Sequence, residues 1–184
     1  MIVGIDEVGR GCWAGPLVAG AVLLQTEIPG LKDSKKLSKL QRERLAAAVY
    51  DSDAVVGIGW VTPAEVDQMG LTIAVRTAME RALVQITVEY EEVIIDGNLN
   101  FLAHLPKTRE LIKADDLVPA VSAASIVAKV ARDNYMAELA KLYPGYGFEK
   151  HVGYGTALHL AGLQQLGISD MHRKSFKPIR ALLQ

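Results

Sequence analysis

A chain of 184 residues that is 50% hydrophobic and 22% charged has the size and composition of one folded domain, and this excludes a disordered tail or a fibre. Its formal net charge of −1 excludes a protein that coats nucleic acid by bulk attraction, so a polyanion would have to meet a local basic patch. The one cysteine, Cys12, excludes an intrachain disulfide and a multi-cysteine zinc site and fits a reducing compartment. No basic leader precedes the first apolar run, and no stretch reaches the ~20 apolar residues of a membrane span, so the expectation is a cytoplasmic protein without membrane contact. No repeat, low-complexity tract or linker divides the chain, and residues 1–184 read as a single domain.

In chain order, residues 2–5 read as a first buried strand and 17–24 as a second, with a glycine- and proline-bearing loop between them. Residues 31–37 are a polar loop. Ser38 with Gln41 forms a capping box that opens a helix through Leu40, Leu45 and Ala48, so Ser38 reads as a cap rather than a nucleophile. Residues 54–60 are a third strand with Gly57 and Gly59 weakening its middle, and Pro63 starts a helical turn that Gly70 ends. The helical period then runs through Ile73, Val75, Met79, Leu83 and Ile86. Val93, Ile94 and Ile95 form a compact strand covered on both faces, ending at Asp96. A further short strand is expected at 110–113.

Residues 122–142 read as a helix capped by Ser122, with a small first turn suited to close approach to a sheet. Residues 144–155 read as a loop and 156–166 as a helix closed by Gly167. The segment His172, Arg173, Lys174, Ser175, Phe176 then leads into a short terminal helix. From Lys141 onward there are six basic residues against two acids, so positive charge collects at the C-terminal end. Interleaved strands and helices after two neighbouring strands indicate an α/β fold, a mixed sheet flanked by helices.

Three segments repeat one design, an apolar run that ends in a carboxylate: Asp6 and Glu7 after Ile5, Asp96 after Ile95, and Asp115 after Ile112, Lys113 and Ala114. Acids delivered past neighbouring strand ends converge in the crevice where open α/β sheets bind ligands, and their mutual repulsion is relieved by a hard divalent cation such as magnesium or manganese. Phosphoryl transfer is the chemistry such a cluster supports. The competing reading of a strand-terminal Asp is an ordinary turn, strongest for Asp96 in its Asp-Gly-Asn context. Successive strand residues point to opposite faces, so Asp6 ranks above Glu7. Composition leaves Asp115 and Asp116 undecided. Asp133, four residues after Lys129, reads as an ion-pair partner. His104, His151, His159 and His172 are scattered and read as surface or packing residues. No phosphate-binding GxxxxGK[ST], no GxGxxG and no paired histidines at helical spacing occur.

The motifs GIDEVGRG (4–11), AGP (14–16), DSKKLS (33–38), IIDGN (94–98), KAD with SAASIVAKVARD (113–133), YGF with H.GYGT (146–156) and HRKSF (172–176) stand in order along nearly the whole chain. Through them the sequence resembles bacterial ribonuclease HII, the type 2 ribonuclease H. The resemblance implies a ribonuclease H-like fold, with a five-stranded mixed sheet flanked by helices and a helical C-terminal region. It implies endonucleolytic hydrolysis of the RNA strand of RNA/DNA hybrids and incision at single ribonucleotides in duplex DNA, leaving 3′-hydroxyl and 5′-phosphate ends. The implied metal-binding and catalytic acids are Asp6, Glu7, Asp96 and Asp115, holding Mg2+ or Mn2+, two ions with substrate bound. Asp116 falls on a variable position. Gly9, Arg10 and Gly11 are implied readers of the ribose 2′-hydroxyl, and Tyr154 lies against the neighbouring deoxyribose. Lys35, Lys36, Arg173 and Lys174 are candidate phosphate contacts. No obligate protein partner is called for, and a monomer is expected. Cys12 and Trp13 stand where proline and leucine are usual, and Val152 where lysine is common.

Overall fold

Val3 and Ile5 lie on one face of the first strand and must be covered, and this strand becomes the centre of the sheet. A computed structural model of the chain describes residues 1–31 and 34–183. The strands are β1 (Ile2–Val8), β2 (Leu17–Leu23), β3 (Val55–Val61), β4 (Glu92–Asp96) and β5 (Thr108–Leu111), in the order β3-β2-β1-β4-β5. β2 pairs antiparallel with both β1 and β3, whereas β1, β4 and β5 run parallel, so the sheet is mixed as expected.

Helices cover both faces. On one face, α3 (Leu71–Leu83) lays Val75, Ala78, Met79 and Ala82 over Val3, Ile5, Ala19, Ala21 and Ile95. On the other, α5 (Pro119–Leu142) and α1 (Lys39–Tyr50) enclose Val22, Ala46, Val49, Ala123 and Val127. Ile94 faces this second layer with Ala114 and Val121, which explains why the apolar run of β4 has no alternation. A shorter apolar cluster joins the C-terminal half of α5 to α6 (Phe148–His151), α7 (Ala157–Leu166) and α8 (Lys177–Arg180), through Met136, Leu139, Tyr146, Phe148, Leu163 and Ile179.

Several sequence expectations are corrected. β1 runs to Val8 rather than ending at Ile5, because Asp6, Glu7 and Val8 still pair with Gly20, Ala19 and Val18 after the parallel ladder to β4 has stopped at Ile5 and Ile95. Gly57 and Gly59 do not weaken β3 but let α3 close on it: a methyl at Gly59 would strike the Ala78 carbonyl and one at Gly57 that of Ala82. In α1 the capping box at Ser38 forms, but Ala46 and Val49 are buried while Leu40 is exposed. α2 (Pro63–Met69) is capped by Thr62. The fifth strand ends at Leu111, two residues before the expected Lys113, because Lys113 adopts φ 59° and turns the chain into α4 (Ala114–Leu117). Ser122 does not cap α5, which starts at Pro119 in the first helical position. A helical turn, α6, interrupts the expected loop at 144–155.

Candidate active site

The two carboxylates of β1 sit where the strand loses its parallel neighbour. Asp6 shares its face with Gly4, on the α5 side, and is buried, whereas Glu7 leaves by the other face, as strand alternation requires. They nevertheless border one cavity of about 400 Å³ with Asp96, because the ladder to β4 has stopped and β4 no longer separates the two faces. Burial pushes the Asp6 carboxyl up to about 8, and the charges of Glu7 and Asp96 push the same way against a hydrogen bond from Ser125. Glu7 is also held above its usual range by burial, partly opposed by Arg10, whose guanidinium lies 3.6 Å away.

Asp96 ends β4 and accepts the Ala114 N–H at 2.8 Å, so it caps the short helix that carries Asp115. Asp115 thus arrives on the first turn of α4, not at the end of a strand. Its carboxylate is buried and meets Lys35 at 3.7 Å, and its carbonyl accepts the Ser122 hydroxyl at 2.7 Å. Asp115 borders an adjoining hollow with Asp116, Lys36 and Lys113, and that hollow shares Asp96 and Lys35 with the first. The fold therefore gathers Asp6, Glu7 and Asp96 in one cavity and sets Asp115 beside it. Asp116 takes Lys36 at 2.7 Å.

Among the described residues, no group of three or more His, Cys, Asp or Glu side chains is closed into a metal-ligand set. The donor set still fits a hard cation. It is all carboxylate oxygen, and three of the acids share a wall on which Asp6 and Glu7 have their charged forms disfavoured by burial and by neighbouring carboxylates, Glu7 and Asp96 acting on Asp6 and Asp96 on Glu7.

The loop after β1 makes the adjoining wall of the same cavity. Gly9 has φ +86° and its main chain lies against the Arg132 guanidinium, where a side chain would collide. Arg10 is half exposed and its guanidinium stands 5.4 Å from the Phe101 ring centre. Gly11 has open space around it. Tyr154 reaches the same cavity from the chain after α6, together with Ser34, Arg42, Ser125 and Lys129. Asp33 of the DSKKLS motif lies outside the described residues.

Sequence reasoning misjudged two basic residues. Arg173, expected at a phosphate, is fully buried: Nε and Nη2 donate to the Gly15 carbonyl and Nη1 to that of Arg10, because the 172–176 segment docks on the loop after β1. Arg132, singled out for nothing, is equally buried and donates to the carbonyls of Pro16, Val152 and Ala14. Its place within a helical run carried no distinguishing signal. Lys174 is exposed, with its ammonium 3.9 Å from Asp170. Lys129 and Asp133 do pair, at 2.8 Å, but in a mostly covered position rather than on the surface. Val152, a β-branched residue at φ 45°, turns its carbonyl to Arg132 and to the Cys12 thiol.

Comparison with known proteins places this geometry in context. Residues 3–179 match the family model described as ribonuclease HII. A protein named ribonuclease HII from Dichelobacter nodosus is 49% identical over 100% of this chain and 98% of its own length. The crystal structure of the ribonuclease H2 from Pyrococcus horikoshii OT3 superposes with a TM-score of 0.83 at 28% identity, covering 98% of this chain and 96% of that one. The Bst-RNase HIII structure in complex with Mn2+ shares the fold, with a TM-score of 0.72 at 21% identity over 99% of this chain and 68% of that one.

Proposed function

The chain belongs to the ribonuclease HII family and is a ribonuclease H, and from that premise we propose that it cuts the RNA strand of RNA/DNA hybrids and incises duplex DNA at single ribonucleotides with a divalent metal ion. The observation that carries the reading is that Asp6, Glu7 and Asp96 share one cavity with Gly9, Arg10, Gly11 and Tyr154. One wall suits a cation and the other a sugar, and the cavity volume of about 400 Å³ accommodates a nucleotide's breadth of backbone.

Asp6, Glu7, Asp96 and Asp115 are the proposed ligands of two Mg2+ or Mn2+ ions. When bound, such ions supply a nucleophilic water at neutral pH and a counter-charge for the leaving oxygen. The Mn2+ complex of the fold relative Bst-RNase HIII supports this choice of cation. Asp115 is buried but its Lys35 partner is exposed, so a bound cation could take the place of that ammonium at its carboxylate. The water oxygen bonds to phosphorus, the P–O3′ bond breaks, and the O3′ leaves with a proton, giving a 3′-hydroxyl and a 5′-phosphate.

Selection is assigned to the adjoining wall. The main chain of Gly9, Arg10 and Gly11 offers polar groups without side-chain bulk to a ribose 2′-hydroxyl, the one group that distinguishes RNA from DNA. The Tyr154 ring, 42% exposed, tests the adjoining sugar where a second 2′-hydroxyl would intrude. Lys35, Lys36 and Lys174 are exposed cations suited to backbone phosphates; Arg173 is not proposed for that role. The chain is proposed to act as a single domain and a monomer.

The test is incubation with duplex DNA carrying one ribonucleotide, with and without Mg2+, followed by mapping of the ends. A single cut at the ribonucleotide with a 3′-hydroxyl, only when metal is present, is expected. Metal-independent cleavage, or binding without turnover, would overturn the reading.

A further inference from the structure

The four histidines are far apart in sequence, yet three of them meet in a buried group behind Tyr154. His159 and His172 are 0% and 1% exposed, and His151 stacks on His159 with ring centres 4.4 Å apart. Trp13 and Phe148 pack against the His159 ring. Each ring nitrogen has a partner, and the partners fix where every proton sits. The Ser169 N–H, which can only donate, points at Nδ1 of His172 at 3.0 Å. Nε2 of a neutral His172 then carries the proton and donates to Nε2 of His159, also at 3.0 Å. His159 is left with its proton on Nδ1, and that N–H donates to the Tyr154 carbonyl at 2.9 Å. Reading the chain backwards from the carbonyl, which can only accept, gives the same assignment. His151 is determined in the same way: it accepts the Gly153 N–H at 3.2 Å and donates to the Tyr146 carbonyl at 2.8 Å.

This relay connects the docked 172–176 segment to the peptide of the residue whose ring enters the cavity. We propose that His172 and His159 are positioning residues, which act through the Tyr154 carbonyl to hold the Tyr154 ring against the sugar beside the cleaved bond. The proposal rests on the reading of Tyr154 as the sugar-testing group. It also gives the C-terminal segment a purpose other than phosphate binding. His172 pairs with Ala14 across a β-bridge, the Arg173 N–H donates to the Trp13 carbonyl at 2.8 Å, and the Trp13 N–H donates to the Gly153 carbonyl at 2.8 Å. The loop after β1 and the Tyr154 segment are therefore tied to the same strand of chain. An imidazole relay is directional: a proton added to either ring sets two N–H groups against one another, so the arrangement has one bonded state and no slack.

The test compares His159→Ala with His159→Asn, whose amide keeps a donor near the Nδ1 position. The measured quantity is the ratio of kcat/KM on a duplex with one ribonucleotide to kcat/KM on a uniform hybrid. His159→Ala should lower that ratio roughly tenfold, mainly by loss on the single-ribonucleotide substrate, and His159→Asn should recover most of it. Nitrogen-15 spectra of the wild-type imidazoles at neutral pH should show His159 protonated on Nδ1 and His172 on Nε2. This second measurement stands even where the alanine variant does not fold. Tyr154→Ala separates the two readings. A ratio unchanged by Tyr154→Ala overturns the sugar-testing role itself. A ratio changed by Tyr154→Ala but not by a folded His159→Ala, or His159 protonated on Nε2, overturns the relay alone. Adding His159→Ala to Tyr154→Ala should change the ratio no further.

Discussion

The two walls of the cavity are built on opposite principles. The acid wall leaves Asp6 and Glu7 buried beside Asp96 with too little compensation, so that Asp6 is pushed up to about 8. The proposed sugar wall has its buried polar atoms matched: Arg132 and Arg173 make six hydrogen bonds to five carbonyls of the loop after β1 and the Val152 turn, and His151 and His159 bond the Gly153 N–H and the Tyr154 carbonyl. Unmet charge marks the place where a ligand is to complete the structure. Met hydrogen bonds mark the place whose shape is already set before any ligand arrives.

The largest effect should come from the acid wall. Asp6→Asn should cut turnover on the order of 10³-fold while the protein keeps its fold. The same variant should be more thermally stable than the wild type without metal. A carboxyl with its folded pKa raised from 3.8 to about 8 binds more protons folded than unfolded across that window, so it lowers stability progressively as pH rises through it. The stability gain of Asp6→Asn should therefore be small near pH 4 and greatest above pH 8, as measured by melting temperature across pH. A loss of stability in this variant would contradict the picture of an uncompensated acid.

Breaking the sugar wall should do the reverse, costing stability first. Arg173→Ala strands the carbonyls of Gly15 and Arg10 in a buried position and should destabilise the fold by about 3 kcal/mol in denaturant titration. Arg173→Lys should recover only part of this, since an ammonium cannot reproduce the planar fork. A denaturation midpoint unchanged in Arg173→Ala would return that residue to the list of phosphate contacts.

The histidine group gives a pH signature of opposite sign to that of Asp6. Burial pushes His159 and His172 down from 6.5 to about 4; the charge of His151 adds to both shifts, and that of His159 adds to the shift of His172. Between those values the unfolded chain binds protons that the folded chain refuses. Their contribution is fully present above pH 6.5 and is lost as pH falls toward 4. Replacing both by Gln should flatten that limb of the stability curve. The smallest effect expected is Ser38→Ala, which lines neither wall and should cost about 1 kcal/mol through the lost capping box and leave cleavage unchanged.

Much of the frame was legible in local chemistry. The capping box at Ser38, the unalternating Val93, Ile94 and Ile95, and the closing Gly167 all follow from rules that act over a few residues, and each appears where it was read. Pro119 was an equally local signal and was overlooked in favour of Ser122, whose hydroxyl is turned to the Asp115 carbonyl instead. The doubt over Glu7 was physically sound: it does leave β1 by the other face, and it reaches the cavity only because β4 stops short of it.

The sequence by itself determined the family, the mixed α/β architecture and the carboxylates that crowd the end of β1, because these are written as short motifs and periodic patterns. The tertiary structure decided what the remaining polar residues do. Nothing in the residues beside Arg132 and Arg173 tells that their partners are carbonyls 20 to 163 residues away, that His159 and His172 meet across 13 residues, or that a basic tail would bury its arginine under the loop it supports. A charged or imidazole side chain reads as surface until packing removes its water, and only then does its hydrogen-bonding capacity become a constraint that fixes its neighbours.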